Sequence, residues 1–270
     1  NRDAFSGKVR FVFQPGEEIG KGAKPFVAAG VLDGAERVFG LHTAYDLEAG
    51  TVGLKPGINN AAVDHFRIRV HGKSTHVSTP HLGVDALYIA SQIVVAVQGL
   101  VTRRTSPTEP VIIGIGKLNA GTTYNAVAAF AEMEGTTRTI SQESRDRVRA
   151  QVSETAQSIA ALYGGTAEIE WTDFAAALVN DPQVCEEAAQ VVDELLGEGH
   201  VVTDRELSLS GDNFAEFELY KPGAYAYLGT GNPDFPHTMI TNHNGGFDVD
   251  ENALVTGAGL YVGYTVARLG

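Results

Sequence analysis

Two adjacent glutamates and two separate histidines are the side chains of this sequence most suited to metal chemistry. Glu17 and Glu18 follow the apolar run Val9–Phe13 and a Pro-Gly turn. His42 ends the apolar segment "VFGL", and His243 lies in the segment "ITNHNGGFDVDE". Carboxylate oxygens and imidazole nitrogens are the ligands that zinc-type divalent ions take in proteins. One glutamate can therefore bind a metal while its neighbour acts as general base, because the metal lowers the pKa of bound water toward neutrality.

Each of these residues also has a purely structural explanation. Adjacent glutamates at a helix start stabilise the positive end of the helix dipole. His42 can be a hydrogen-bonded polar residue at a strand end, and His243 can be a surface histidine of a Gly/Asn-rich loop. Their position after three predicted strands favours the metal site, because open α/β sheets hold their sites at the carboxyl ends of parallel strands.

The outer parts of the chain have the texture of an α/β domain. The apolar runs Val9–Phe13 and Val38–Leu41 predict buried strands with a short helix, Gly22–Ala29, between them. This β-α-β order predicts a parallel sheet. The pattern resumes after the segment "VNDP" with a predicted helix to Leu196, a strand at Ala224–Leu228 and a final helix at Glu251–Leu269.

The middle of the chain predicts six elements in the order βαββαβ, which is the ferredoxin-like arrangement. Apolar and polar residues alternate over Val63–Val70, as in a half-buried strand. The other predicted elements are the helix Val84–Val101, the strands Val111–Leu118 and Ala129–Thr137, the helix Ser141–Tyr163 and the strand Thr166–Trp171. We therefore predict a catalytic α/β domain at residues 1–61 and 173–270, interrupted by an inserted domain at residues 62–172.

Composition narrows the expected partners. Hydrophobic residues make up 43% of the 270-residue chain, enough for a sizeable core. Lys and Arg number 20 against 33 Asp and Glu, with no basic run, so nucleic acid is not an expected partner. The single cysteine, Cys185, excludes an internal disulfide framework, and the apolar runs fall short of the ~20 residues of a membrane span. We expect no membrane partner and a cytoplasmic location.

Seven motifs in the same order give the chain a resemblance to a known family. They are "GKVRFVFQPGEE", "GLH", "GTVGLKPG", "GKSTHVSTPHLGVDAL", "GTTYNAV", "EGTTRT" and "HNGGFDVDE". Together they resemble the M20 family of metallopeptidases, in particular its amidohydrolase branch of hippurate hydrolases, N-acyl-amino-acid amidohydrolases and auxin-conjugate hydrolases. The resemblance implies a zinc-peptidase-like catalytic domain with two divalent ions (Zn, Mn, Co or Ni), interrupted by a ferredoxin-like lid that forms a homodimer.

The resemblance also implies roles for individual residues. Glu17 matches the general base, and Glu18, His42 and His243 match metal ligands. In the lid, three residues match positions that contact the substrate. His76 matches a histidine that holds the reacting carbonyl, often across the dimer, and Asn125 and Arg138 match positions near the polar end of the substrate. Without the resemblance, His76 would be an exposed loop histidine, Asn125 a turn residue and Arg138 a member of a strand-end ion pair.

The sequence departs from the family pattern in three places. No upstream Cys-Gly-His-Asp-x-x-His motif is present to supply two further ligands, and Cys185 does not replace it, since its position is that of a buried helix cysteine. The family's Ser-Glu-Asp-Phe is replaced by "SGDNF" at Ser210–Phe214, and His237 is a rival to His243 as a ligand. We therefore expect a catalytic domain that lacks its N-terminal part, and weak or absent metal binding and activity in this chain by itself.

These observations lead to a main functional hypothesis with two alternatives. The main hypothesis is a metal-dependent amidohydrolase that cleaves the amide bond of N-acyl amino acids or related conjugates. The first alternative is a carboxypeptidase or dipeptidase that uses the same chemistry on a peptide bond. The second is a non-catalytic dimerising relative that has lost its metal site.

Overall fold

The structure is a computed structural model that describes residues 6–270. Its helices are α1 (Ala23–Ala28), α2 (Ala86–Arg104), α3 (Gln142–Leu162), α4 (Pro182–Leu196), α5 (Ala215–Glu218) and α6 (Ala253–Leu269). Its strands are β1 (Val38–Glu48), β2 (Val52–Gly53), β3 (Gly57–Asn60), β4 (Ala62–His71), β5 (Ile112–Ala120), β6 (Phe130–Thr139), β7 (Thr166–Ala175), β8 (Leu178–Asn180), β9 (Val201–Val202) and β10 (Gly223–Gly231). The predicted α/β fold class is confirmed.

The chain divides into two units. The inserted unit comprises Asn60–Ala177 and the short segment Leu209–Gly211. The outer unit comprises the chain up to Asn59, Leu178–Ser208 and Asp212–Gly270. Strands β3 and β8 pair with each other and lie where the chain leaves the outer unit and where it returns.

The outer unit is built on a four-stranded sheet in the order β1-β10-β2-β9. Strand β1 runs parallel to β10, but β2 runs antiparallel to β10, so the sheet is mixed and not parallel as predicted. One face of this sheet packs against α4 and α6. The buried side chains of this core include Val52, Ala224, Ala226 and Leu228 from the sheet, Val184, Ala188 and Val191 from α4, and Leu260 and Tyr264 from α6.

Two predictions about the strands near the glutamates were wrong. Residues 9–13 form no strand, and Phe11 and Phe13 are 78% and 86% exposed. An apolar run becomes a strand only if its backbone groups pair with a neighbour, and no strand of residues 6–270 pairs with this run. His42 does not end its strand, because β1 continues to Glu48.

The inserted unit has the predicted order β4-α2-β5-β6-α3-β7. Its antiparallel sheet, in the strand order β5-β6-β4-β7, carries α2 and α3 on one face. On β4 the residues Phe66, Ile68 and Val70 are fully buried, as the alternation predicted. Asp64 is the polar exception: it is 1% exposed and accepts two hydrogen bonds from Arg145, at 2.9 and 2.6 Å.

Helix ends in the inserted unit follow their sequence signals. The Ser141 hydroxyl accepts a hydrogen bond from the Ser144 backbone N–H at 3.1 Å, which confirms Ser141 as the N-cap of α3. After Tyr163 the chain turns at Gly164, whose φ of 79° favours glycine.

Among the described residues, helix α2 is long and apolar enough to cross a membrane by length and composition alone, contrary to expectation. Its buried residues, however, belong to the core of the inserted unit.

Glu218, at the end of α5, is a buried carboxyl group with an incomplete set of partners. One oxygen accepts a hydrogen bond from the Val179 backbone N–H at 3.0 Å, and the other is buried without a partner among residues 6–270. Burial, and then the negative charges of Asp212 and Asp181, raise the pKa of Glu218 to about 8. Its charge also contributes to raising the pKa of the buried Cys185 thiol to about 12.

We predict that Glu218 makes the fold less stable as the pH rises. The carboxyl ionises near pH 4.5 in the unfolded chain and near pH 8 in the folded one, so the free energy of unfolding should fall between these values and level off above them. Glu218→Gln keeps the acceptor for Val179 without a charge. The melting temperature of this variant should therefore decline less than that of the wild type between about pH 5 and pH 9, the range that spans the ionisation of Glu218 in the unfolded and folded chains.

Glu186→Gln, on the exposed face of α4, is the matched control for this pH titration of melting temperature. Its curve should follow the wild type, because an exposed carboxylate has little desolvation to lose. Parallel curves for wild type and Glu218→Gln would contradict the prediction.

Candidate metal and catalytic centre

Glu17 and Glu18 lie on a single 3-10 turn, Glu17–Ile19, between two glycines. Gly16 and Gly20 have φ of 68° and 64°, a conformation that a side chain disfavours. A Cβ on Gly22 would lie 1.9 Å from the Pro15 carbonyl oxygen. This glycine-rich turn explains how the chain presents two adjacent carboxylates without a strand before them. The two glutamates do not serve to stabilise a helix dipole, because no α-helix of the described chain begins at them.

Glu18 pairs with His243. The His243 Nε2 lies 3.4 Å from a Glu18 carboxylate oxygen, and both side chains are more than two-thirds exposed. His243 is the one non-glycine residue of the described chain with a positive φ, at 62°. Such a backbone conformation costs of order 1–3 kcal/mol and is uncommon outside glycine, although histidine adopts it more often than most residues. The rival His237 lies 3.7 Å from Asp248, with no ion pair to Glu18 among the described residues.

His42 lies on the face of β1 opposite α4 and α6, because Phe39 and Leu41 are the β1 residues that pack against the core containing those helices. Its Nδ1–H donates a hydrogen bond to the Thr43 carbonyl oxygen at 2.7 Å. This bond puts the proton on Nδ1 and leaves the Nε2 lone pair available, as is usual for a histidine that binds a metal. The ring lies 6.2 Å from that of Tyr225 and 6.1 Å from that of Tyr227, on the neighbouring strand β10.

The carboxyl group of Glu17 is partly buried among other charged groups. Burial, then the charges of Asp212 and Glu18, raise its pKa, while a hydrogen bond from the Asn213 backbone N–H and the nearby His42 act in the opposite direction. A raised pKa is what a general base near neutral pH requires. The groups around Glu17 thus come from three segments: Glu18 of the turn, His42 of β1, and Asp212 and Asn213 of "SGDNF".

The side chains present fit a divalent metal ion in type. Glu18 and His243 offer a carboxylate oxygen and an imidazole nitrogen side by side, and His42 offers a free Nε2. Residues 6–270 contain no group of three or more His, Cys, Asp or Glu side chains arranged to hold a metal. The donors are therefore present as one pair and a separate histidine.

The remaining candidates lie in the inserted unit. The His76 Nδ1 accepts from the Ser78 backbone N–H at 3.2 Å and lies 2.7 Å from the Ser78 hydroxyl, so the neutral ring carries its proton on Nε2. Residue 76 forms an isolated bridge with Ala126, next to Asn125, and the Asn125 carbonyl accepts from the Val77 N–H. The structure thus brings His76 and Asn125 into facing loops.

Arg138 lies apart from these loops in the regular part of β6. It is aligned with Val63 on β4 and Ile112 on β5. Burial lowers the pKa of its guanidinium, which has no ion pair with any residue from 6 to 270. Arg138 therefore does not form, within the described chain, the strand-end ion pair that was its alternative role.

Three further residues of this neighbourhood were not predicted: Asp212 and Tyr225, whose groups interact electrostatically with Glu17, and Gln14, which donates a hydrogen bond to Asn213. The sequence signal for Asp212 was the departure at "SGDNF", but nothing local shows that this segment reaches Glu17. Cys185 has the role that was expected, since it is 3% exposed on α4. Burial, and then the charge of Glu218, raise the pKa of its thiol to about 12, so the free side chain is a neutral thiol at neutral pH.

The chain is similar to known proteins over nearly its whole length. The family model for peptidase family M20/M25/M40 matches residues 1–266. The chain is 36% identical over 256 residues to N-acetyl-L-cysteine deacetylase of Bacillus subtilis, covering 94% of this chain and 59% of that protein. It is 35% identical over 261 residues to thermostable carboxypeptidase 1 of Saccharolobus solfataricus, covering 96% of this chain and 65% of that protein.

A solved structure shares both the fold and the sequence. The YXEP protein of Bacillus subtilis, a dinuclear metal-binding peptidase of the M20 family, superposes with a TM-score of 0.81 at 33% identity, covering 99% of this chain and 67% of that one. The present chain thus spans about 59–65% of the length of these curated relatives. With the family model matched over nearly the whole sequence, the chain belongs to peptidase family M20/M25/M40.

Proposed function

We propose that this chain carries the general base and part of the metal site of a metal-dependent amidohydrolase that acts on N-acyl amino acids or related conjugates. The observation that carries the proposal is the neighbourhood of Glu17, a partly buried carboxyl group with a raised pKa beside the pair of Glu18 and His243. The imidazole nitrogen of His42 supplies a third ligand atom. One glutamate is thus free to move protons while the other is free to bind a cation.

The residues have distinct tasks in this proposal. A divalent ion, when bound by Glu18, His42 and His243, would polarise the amide carbonyl and lower the pKa of a water molecule. Glu17 accepts the proton of the attacking water and returns it to the leaving nitrogen. Its raised pKa favours both transfers, because a carboxylate that is more basic than usual takes a proton from water more readily.

The inserted unit is proposed to bind the substrate. His76 has a donor N–H at Nε2 that suits a carbonyl oxygen, and the neighbouring Asn125 side chain offers further amide groups. Arg138 is a partly buried guanidinium without an ion pair in the described chain, and a substrate carboxylate would satisfy its charge. An N-acyl amino acid has both of the groups that these residues recognise.

A carboxypeptidase is the second candidate, since one of the relatives at 35% identity is a carboxypeptidase. Both substrates present an amide next to a free carboxylate, so the same residues would serve either. The test is hydrolysis of N-acetyl amino acids and of N-blocked dipeptides by the full-length protein with Zn, Mn, Co or Ni supplied. Faster turnover of the acetyl amino acids supports the amidohydrolase. Faster turnover of the dipeptides supports the peptidase, and no turnover with no metal binding supports the non-catalytic relative.

We also predict that the inserted unit forms a homodimer. Strand β5 is an edge of its sheet, and α2 exposes Leu87, Tyr88 and Val95, the last at 70%. Val95→Asp should weaken association, because a charge on an apolar contact surface must be desolvated. Light scattering measures the mass in solution. At roughly tens of micromolar protein it should show a dimer for the wild type and a shift toward monomer for Val95→Asp.

Val255→Asp is the matched control for the association measurement, because Val255 is 77% exposed on α6 of the outer unit. It should leave the mass in solution unchanged. A monomeric wild type would contradict the prediction, and so would equal weakening by both substitutions.

A further inference from the structure

Asp212 is a buried carboxylate with both oxygens in use. It is 6% exposed; one oxygen accepts from the Phe214 backbone N–H at 2.8 Å and the other from the Tyr225 hydroxyl at 2.6 Å. Burial and the charge of Asp212 raise the pKa of Tyr225, so the phenol keeps the proton that it donates. The bond from Phe214 closes a turn within the segment, and the bond from Tyr225 anchors Asp212 to strand β10.

Asn213 connects this anchored segment to the catalytic turn. Its backbone N–H donates a hydrogen bond to the Glu17 carboxylate. Its side-chain oxygen accepts from the Gln14 amide at 2.8 Å, across 199 positions of sequence. Asn213 is 1% exposed, and its side-chain nitrogen has no partner among the described residues, so Gln14 alone holds this side chain.

The same cluster extends toward His42. The ring of Tyr225 stacks on Phe214 with centroids 4.8 Å apart, and it lies 6.2 Å from the His42 ring. Gly40, two residues before His42 on β1, has no side chain, and a Cβ there would lie 2.8 Å from ring atoms of both Phe214 and Tyr225. The rings therefore pack directly on the strand that carries His42.

Glu17 needs such support because of its local backbone. It lies on a three-residue turn between two glycines, and glycine gives the backbone more freedom than any other residue. A general base must be held close to its productive position, because a displacement of about 1 Å can cost about 10²-fold in rate. The turn itself makes no side-chain cap hydrogen bond that would hold it.

We propose that Asp212 and Asn213 are positioning residues for Glu17. Asn213 holds the Glu17 carboxylate through its backbone N–H, and Asp212 holds Asn213 in place through Tyr225 and the Phe214 backbone. The proposal rests on the proposed function, in which Glu17 is the general base. The "SGDNF" segment would therefore hold Glu17 in position with a single acidic residue, Asp212, where the family's Ser-Glu-Asp-Phe has two.

Asp212→Asn is the direct test on the full-length protein with metal supplied. Asparagine keeps the size of the side chain, but it has one oxygen and cannot accept both hydrogen bonds. We expect kcat for an N-acyl amino acid to fall about 10- to 100-fold with KM unchanged, since orientation of the base matters for the reaction and not for substrate binding. Asp193→Asn, on the exposed face of α4, is the matched control and should keep both constants.

An unchanged kcat in folded Asp212→Asn would overturn the proposal, and so would a rise in KM that accounts for the whole loss. If Asp212→Asn does not fold, Gln14→Ala decides, because Gln14 is only partly buried and contacts the cluster through Asn213. A several-fold loss of kcat in that variant supports the proposal. Wild-type kcat overturns it.

A measurement on the 270-residue chain separates this inference from the proposed function. The amide proton of Asn213 should move upfield in the NMR spectrum of Glu17→Ala, because its hydrogen bond to a carboxylate is lost, and should stay in place in Glu18→Ala. A proton that does not respond to Glu17→Ala, or responds equally to both variants, overturns the proposal. A response specific to Glu17 in a wild-type protein without hydrolase activity would support the positioning contact and refute the proposed function.

Discussion

Glu17→Gln should lower the turnover of an N-acyl amino acid by roughly 10²–10⁴-fold while the metal content stays the same. Glutamine keeps the shape of the side chain and can still accept the hydrogen bond from the Asn213 backbone N–H. It cannot take a proton from water, so only the proton transfer is lost. The measurement is kcat of the full-length protein with metal supplied, together with the metal content of the same sample.

The structure sharpens the alternative outcome of this experiment. If Glu17 only begins a turn, its replacement should cost at most about 1 kcal/mol of stability and leave hydrolysis intact. Removal of its charge beside Asp212 and Glu18 should even relieve repulsion in the folded state. Glu194→Gln, on the exposed face of α4, is the matched control and should leave kcat unchanged. Full activity in Glu17→Gln would refute the role as general base.

Glu18→Gln should act mainly on metal affinity. A neutral amide is a poor ligand beside a carboxylate, and loss of a group that only supports a ligand already costs about 10–100-fold in affinity, so loss of a direct ligand should cost at least as much. Activity should then recover in part at high metal concentration, whereas that of Glu17→Gln should not. Calorimetric titration with Mn or Zn measures the affinity of each variant.

Asp248→Asn is the control that separates the two histidines of the late loop. Asp248 lies 3.7 Å from His237, whereas Glu18 lies 3.4 Å from His243. If His243 is the ligand, the metal affinity of Asp248→Asn should equal that of the wild type. Loss of metal in Asp248→Asn with wild-type affinity in Glu18→Gln would move the site to His237.

Taken together, the two glutamate variants separate a base from a ligand. Either variant alone would show only that the turn is needed. A fall in kcat with metal retained for Glu17, and a fall in metal affinity for Glu18, would assign the two roles independently. Equal losses of both properties in both variants would indicate that the turn has a structural role.

The sequence by itself determined the elements whose signals are local. The alternation of Phe66, Ile68 and Val70 reports one buried sheet face, and the spacing of apolar residues in α2 and α3 reports one buried helix face. The Ser141 cap and the Gly164 turn depend on neighbouring residues only. The chemistry of Glu17, Glu18, His42 and His243 could likewise be predicted from residue type, because metal ligands and bases are drawn from few side chains.

Tertiary structure decided what depends on residues distant in the sequence. The run Val9–Phe13 has the composition of a strand and yet is exposed, because a strand needs a pairing neighbour and not only apolar side chains. The direction of β2 against β10 follows from how the chain returns to the sheet, which no local pattern records. The contact of Asn213 with Glu17 was hidden for the same reason: a hydrogen bond between segments almost 200 positions apart is formed by folding and leaves no periodic trace in the sequence.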